Sequence, residues 1–235
     1  MVPKLRGESH LTTSIMISLP TAMALFLLFH DTMDSAIFCV IGGIMFGCLL
    51  PDVDASDAKV MHGSWEPIGL FGKYIFYKPM TWILRTRSDD YRDKHRGYLH
   101  SLFGCFLATI FFAIPIALLF VVSTYFWSIP IESSILVWFA WIGLPFGFLM
   151  HLIEDSFTKS GVRWRFPHGK TYSSSTSTGK KSEYNLVSAF LISYGILTVI
   201  IFMLPVSINV VFVAIIWSMI IVYVLYALNP IISKL

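Results

Sequence analysis

Six apolar runs, at residues 15–29, 36–50, 101–127, 135–153, 186–204 and 208–228, constrain this chain more than any single motif does. An α-helix rises about 1.5 Å per residue and the hydrocarbon core of a bilayer is about 30 Å thick, so such runs predict membrane helices. The run at 36–50 barely covers that thickness and needs its flanks in the interface. Gly42, Gly43 and Gly47 within it predict close helix packing. Charged residues make up 13% of the chain against about a quarter in soluble domains. Lys4 and Arg6 ahead of the first run mimic a secretory signal. No small-residue cleavage site follows and another apolar run comes at once, so the first run reads as a transmembrane helix. The expected fold is all-α: a polytopic membrane protein of about six transmembrane helices, one integral domain over 1–235. Residues 1–167 carry the polar motifs, and 186–228 provide two scaffold helices free of acids, bases and histidines.

Threading six spans in alternation puts all 17 lysines and arginines on one side, with Asp31, Asp34 and Glu132 as the charged residues opposite. The tendency of basic loops to stay inside makes the loaded face cytoplasmic, with both termini there. The same threading gathers His10, Asp52, Asp54, His95, His100, His151 and Asp155 on that face, each at or beside a helix end. His151 and Asp155 are four apart on a helical pattern and so share one face, close enough to bind one metal or each other. Asp52 and Asp54 follow Pro51 at the end of an apolar run, where two carboxylates are costly without a cation. Lys94 to Ser101 packs His95, Arg96, Gly97 and His100 just before the third run. His95 and His100 converge only if one of them lies outside the helix, a turn Gly97 permits. Four imidazoles with three carboxylates suit zinc better than magnesium or calcium, and seven donors are enough for one or two divalent ions.

Other signals are weaker. Residues 65–87 interleave aromatics with Lys73, Lys78, Arg85 and Arg87, which fits an interfacial segment touching membrane lipids better than a nucleic-acid surface. Gly179-Lys180-Lys181 resembles the end of a phosphate-binding loop, but Ser174 and Lys181 stand where a glycine and a hydroxyl belong. Cys39, Cys48 and Cys105 lie in apolar runs and read as packing residues.

Ser9-His10, the stretch Leu49 to Asp54, His95-Arg96-Gly97 with His100-Ser101, and His151, Asp155, Thr158 and Gly161 in the spacing H-x3-D-x2-T-x2-G together resemble one known family. It is the family of membrane-bound metal-dependent hydrolases of the LexA-regulated inner-membrane YdjM type. The resemblance spans residues 9 to about 167 and implies an inner-membrane, SOS-response-associated metallohydrolase. The expected reaction is cleavage of a phosphoester, in a lipid or lipid-linked substrate, by metal-activated water. Asp54 is the candidate general base and Arg96 the candidate phosphate clamp, with Lys159, Arg163 and Arg165 available to an anionic headgroup. A divalent-metal transporter and a non-catalytic protein whose metal staples helices are the competing readings. Transport predicts ionisable residues in mid-span, and the spans are clean.

Overall fold

The computed structural model describes residues 39–56, 58–85, 96–127 and 138–174, together with the single positions 192 and 196. The first span, the last two apart from positions 192 and 196, His10, His95, Asp31, Asp34 and Glu132 lie outside the described residues. Within them the structure is helical, with no strand and one isolated antiparallel bridge, Val162 to Tyr172. We label the helices α1 (39–49), α2 (Glu66–Phe71), α3 (Lys78–Arg85), α4 (Leu102–Trp127) and α5 (Leu144–Ser156).

Helix α4 is the one described helix long and apolar enough to cross a membrane, through its stretch Leu102–Leu119. Its 26 residues span about 39 Å. Ser101 starts it: the Ser101 hydroxyl accepts the Gly104 N–H at 3.1 Å, satisfying one of the free donors of the first turn. Pro115 sits inside the helix, as membrane helices tolerate.

Helices α1 and α5 run in parallel and meet backbone to backbone. A Cβ on Gly147 would fall 2.8 Å from Ile44 Cα, and one on Gly143 would fall 3.0 Å from Gly43 Cα. The pairing joins Gly43-x3-Gly47 to Gly143-x3-Gly147, the small-residue spacing that lets membrane helices approach without a driving force from water. Parallel packing brings the C-terminal ends of α1 and α5 to one level, where α4 begins.

Two π-helical turns, Gly72–Tyr77 and Trp138–Gly143, each end two residues before a proline, Pro79 and Pro145. Proline offers no N–H and its ring crowds the carbonyl four residues back, so the preceding turn widens. Around these elements Phe46, Phe76, Phe111 and Phe112 pack edge to face or tilted, with Phe46 and Phe112 centroids 5.1 Å apart. Leu50, Val53, Leu99, Leu144, Phe148 and Leu152 complete a buried cluster at the end where the polar motifs sit.

Candidate metal centre

Three chain segments deliver the polar side chains, each by a different local device. Beyond α1 the chain tightens into the 3-10 turn Leu50–Asp54, with Pro51 in its first turn and Leu50 and Val53 buried. A 3-10 helix turns about 120° per residue, so Asp52 and Asp54, two apart, point to different sides. His100 closes a second 3-10 turn, Tyr98–His100, its N–H donating to Gly97 O at 3.2 Å. His100 is thus outside α4, the condition under which it can meet other ligands. His151 and Asp155 stand one turn apart on α5, both buried.

The side chains converge. His100 Nε2 is 3.7 Å from Asp52 Oδ1 and 3.5 Å from Asp155 Oδ2, while His151 Nε2 is 3.7 Å and 3.8 Å from the same two oxygens. Asp52, His100 and His151 present ligand atoms all within 4.8 Å of one another. These separations are too long for hydrogen bonds. They are near the spacing of about 3.3–3.6 Å that bonds of about 2.0–2.2 Å at tetrahedral angles impose on two ligands of one ion. Both imidazoles have no solvent exposure, and the two rings meet at 63° with centroids 5.4 Å apart. Asp54 Oδ2 lies 3.9 Å from His100 Nδ1, on the other nitrogen of the ring that faces the cluster. Three carboxylates against one guanidinium leave this buried region negative, a charge that a divalent cation would offset. Donor chemistry, spacing and charge all fit such an ion, and zinc among the common ones.

Arg96 supplies the guanidinium. Its backbone takes φ 64°, in the left-handed region, and turns the side chain toward the loop after α5. Nη2 donates to Asp155 Oδ1 at 3.0 Å, and Nη1 donates to Thr158 Oγ1 at 3.0 Å and to Gly161 O at 2.8 Å. Thr158 in turn donates to Asp155 O at 2.7 Å and accepts the Gly161 N–H at 3.3 Å. Gly161 sits at φ 61°, with Tyr172 O where a Cβ would go, so glycine is required there. With Oδ1 held by Arg96, the other oxygen of Asp155 is the one aimed at the histidines.

The family described as YdjM inner membrane protein matches residues 7–231. The chain belongs to this family. The inner membrane protein YdjM of Escherichia coli strain K12 and that of Shigella flexneri are each 27% identical to it over 135 residues, 54% of this chain and 52% of theirs. The chain spans about half the length of the curated relatives it matches. No solved structure matches it.

In this YdjM-family chain the structure brings five of the seven expected metal-site residues together: Asp52, Asp54, His100, His151 and Asp155. His10 and His95 lie outside the described residues. Arg96, expected from sequence to clamp a phosphate, grips Asp155, Thr158 and Gly161. Lys159, Arg163 and Arg165 are exposed just beyond α5, Arg163 donating to Pro167 O at 3.2 Å. Tyr98 belongs to the support as well, although no ligand pattern marks it. Its hydroxyl bonds Thr81 Oγ1 at 3.0 Å and donates to Tyr77 O at 3.3 Å, fixing the turn that carries His100. A tyrosine between Gly97 and His100 at the mouth of an apolar run is the signal that could have found it. The loop after α5 is tied to the same turn by Leu102 N–H donating to Trp164 O at 3.0 Å.

Proposed function

We propose that this YdjM-family protein is a multi-pass inner-membrane metal-dependent hydrolase with its termini and metal centre on the cytoplasmic face. Its substrate in this reading is a phosphoester in a lipid or lipid-linked molecule. The observation that carries the proposal is the convergence of Asp52 with the buried His100, His151 and Asp155, where the turns beside α1 and α4 meet α5. Asp52 Oδ1, His100 Nε2, His151 Nε2 and Asp155 Oδ2 would hold one divalent ion. When bound, such an ion supplies Lewis acidity at a phosphoryl oxygen and draws the pKa of a coordinated water toward about 7.

The protein's own groups then have distinct tasks. Asp54 Oδ2 stands on the Nδ1 side of His100, so Nε2 is the ring nitrogen that faces the cluster. In this reading the base role expected of Asp54 passes to Asp52. Asp52, whose side chain is 13% exposed against 2% for Asp155, is the open edge of the cluster and the carboxylate placed to take a proton from water. Arg96 holds Asp155, and Lys159, Arg163 and Arg165 lie where an anionic headgroup would approach. Leu50, Val53, Leu99 and Leu152 keep bulk water from the other sides.

One observation favours a second reading: the two histidines are fully buried, as in closed structural metal sites. A metal there would staple α1, α4 and α5 without turnover. Metal-loaded protein in nanodiscs, offered phospholipid and a generic phosphodiester, separates the two. The hydrolase reading expects cleavage that disappears in His151→Ala. No cleavage by fully metallated protein would leave the staple.

A further inference from the structure

The segment Glu66–Arg85 has an inner edge that grips the metal-centre turns and an outer edge that is exposed among the described residues. On the inner edge a Cβ at Gly72 would lie 2.9 Å from Val53 Cγ1 and 3.1 Å from Leu50 Cδ1, so the segment touches the turn that carries Asp52. Phe76 is fully buried against Phe111 and Phe112, and Tyr77 stacks on Tyr98 with centroids 6.4 Å apart. The outer edge exposes Phe71, Tyr74, Ile75, Trp82 and Ile83, Trp82 to 70%. Leu70, Tyr74, Lys78 and Trp82, all exposed, recur every four residues. A regular α-helix would rotate such a repeat by about 40° at each step, whereas the wider π-helical turn Gly72–Tyr77 counteracts that drift and keeps one edge apolar.

The occupant of that edge is indicated by charge and by continuity. Across Glu66–Arg85 the charged residues are Glu66 at the first position and then Lys73, Lys78 and Arg85, a net positive segment. Lys78 Nζ sits 4.1 Å over the Tyr74 ring, its stem along the apolar edge, as lysines do at membrane surfaces. A second copy of the chain would bring these cations against their own kind. Phe71 stacks on Phe112 of α4, centroids 6.2 Å apart, so the outer edge continues into a helix whose exposed Phe106, Ile114 and Leu118 suit acyl chains. Strong amphipathicity, cations and aromatics on a short helical segment are the attributes of helices that lie in the interface.

We propose that Glu66–Arg85 is seated in one anionic leaflet, its outer edge at the boundary between headgroups and acyl chains, and that it sets the Asp52 and His100 turns at headgroup depth. The seating does not depend on what the metal centre does. Spin labels at Ile75→Cys and Trp82→Cys test it in the Cys39→Ala protein, where Cys48 and Cys105 are buried. In vesicles containing phosphatidylglycerol both labels should be accessible to oxygen and shielded from a water-soluble nickel chelate. A label at exposed Lys170→Cys should show the reverse. Adding Lys78→Glu and Arg85→Glu should move the two labels outward in those vesicles and leave them unchanged in pure phosphatidylcholine. Nickel-accessible labels at both positions would overturn the proposal in favour of a water-facing edge. Spin-spin broadening between labels would overturn it in favour of a second copy.

Discussion

Asp52 and Asp155 offer carboxylate oxygens to the same two imidazoles at nearly equal distances, yet the chain supports them by opposite means. Asp52 is positioned by packing: glycine contacts fix α1 against α5, and Leu50 and Val53 anchor the 3-10 turn on either side of it. Asp155 is positioned by hydrogen bonds, through Arg96, Thr158 and Gly161. Packing between helices that meet backbone to backbone is set by shape, and one added methyl disturbs it. A hydrogen-bonded latch in a partly buried loop is weaker and can be loosened in steps. The two supports should therefore fail differently.

The largest effect is expected from removing a shared partner. His151→Ala faces both carboxylates and should lower divalent-metal affinity by more than the roughly 100-fold that loss of a supporting residue produces, as read by chelator competition. Retained affinity would mean that His151 is a packing residue. Next comes the packing arm. Gly147→Ala places a methyl against the Ile44 backbone and should destabilise the fold by about 1–3 kcal/mol or more, read as a fall in detergent melting temperature, with metal affinity falling alongside. Arg96→Ala leaves the buried Asp155 carboxylate without its guanidinium and should weaken metal binding about 10–100-fold, with a fall in melting temperature larger than that of Thr158→Val. Arg96→Lys should lie between, since lysine can reach Asp155 but cannot reproduce the fork to Thr158 and Gly161. If Arg96→Ala lowers phosphoester turnover with metal affinity intact, the guanidinium acts on substrate and not on Asp155. The smallest effect is Thr158→Val, which removes the hydroxyl shared by Arg96, Asp155 and Gly161 and should cost about 1 kcal/mol.

The packing arm was more legible in the sequence than the latch. Gly43 and Gly47 announced close approach within an apolar run, and the i, i+4 spacing of His151 and Asp155 placed both on one helix face, because these patterns follow from fixed helical geometry. The start of α4 at Leu102 also agrees with the expected third span. Arg96 was legible as important, but its hold on Asp155, Thr158 and Gly161 was not. A guanidinium suits a phosphate and a carboxylate equally well, and the left-handed backbone that turns Arg96 toward Asp155 is not marked in the sequence. The different faces of Asp52 and Asp54 likewise follow from a 3-10 turn that the composition of Leu50–Asp54 does not distinguish from the end of an α-helix.

Central to this account is that two imidazole nitrogens and two carboxylate oxygens, from Asp52, His100, His151 and Asp155, share one divalent ion. X-ray absorption at the edge of the metal in purified, metal-replete protein measures that shell directly. The account predicts a first shell of nitrogen and oxygen at about 2.0–2.2 Å with imidazole multiple scattering from two histidines, reduced to one in His100→Ala if metal is retained. A shell of oxygen alone, or one unchanged by His100→Ala, would contradict it.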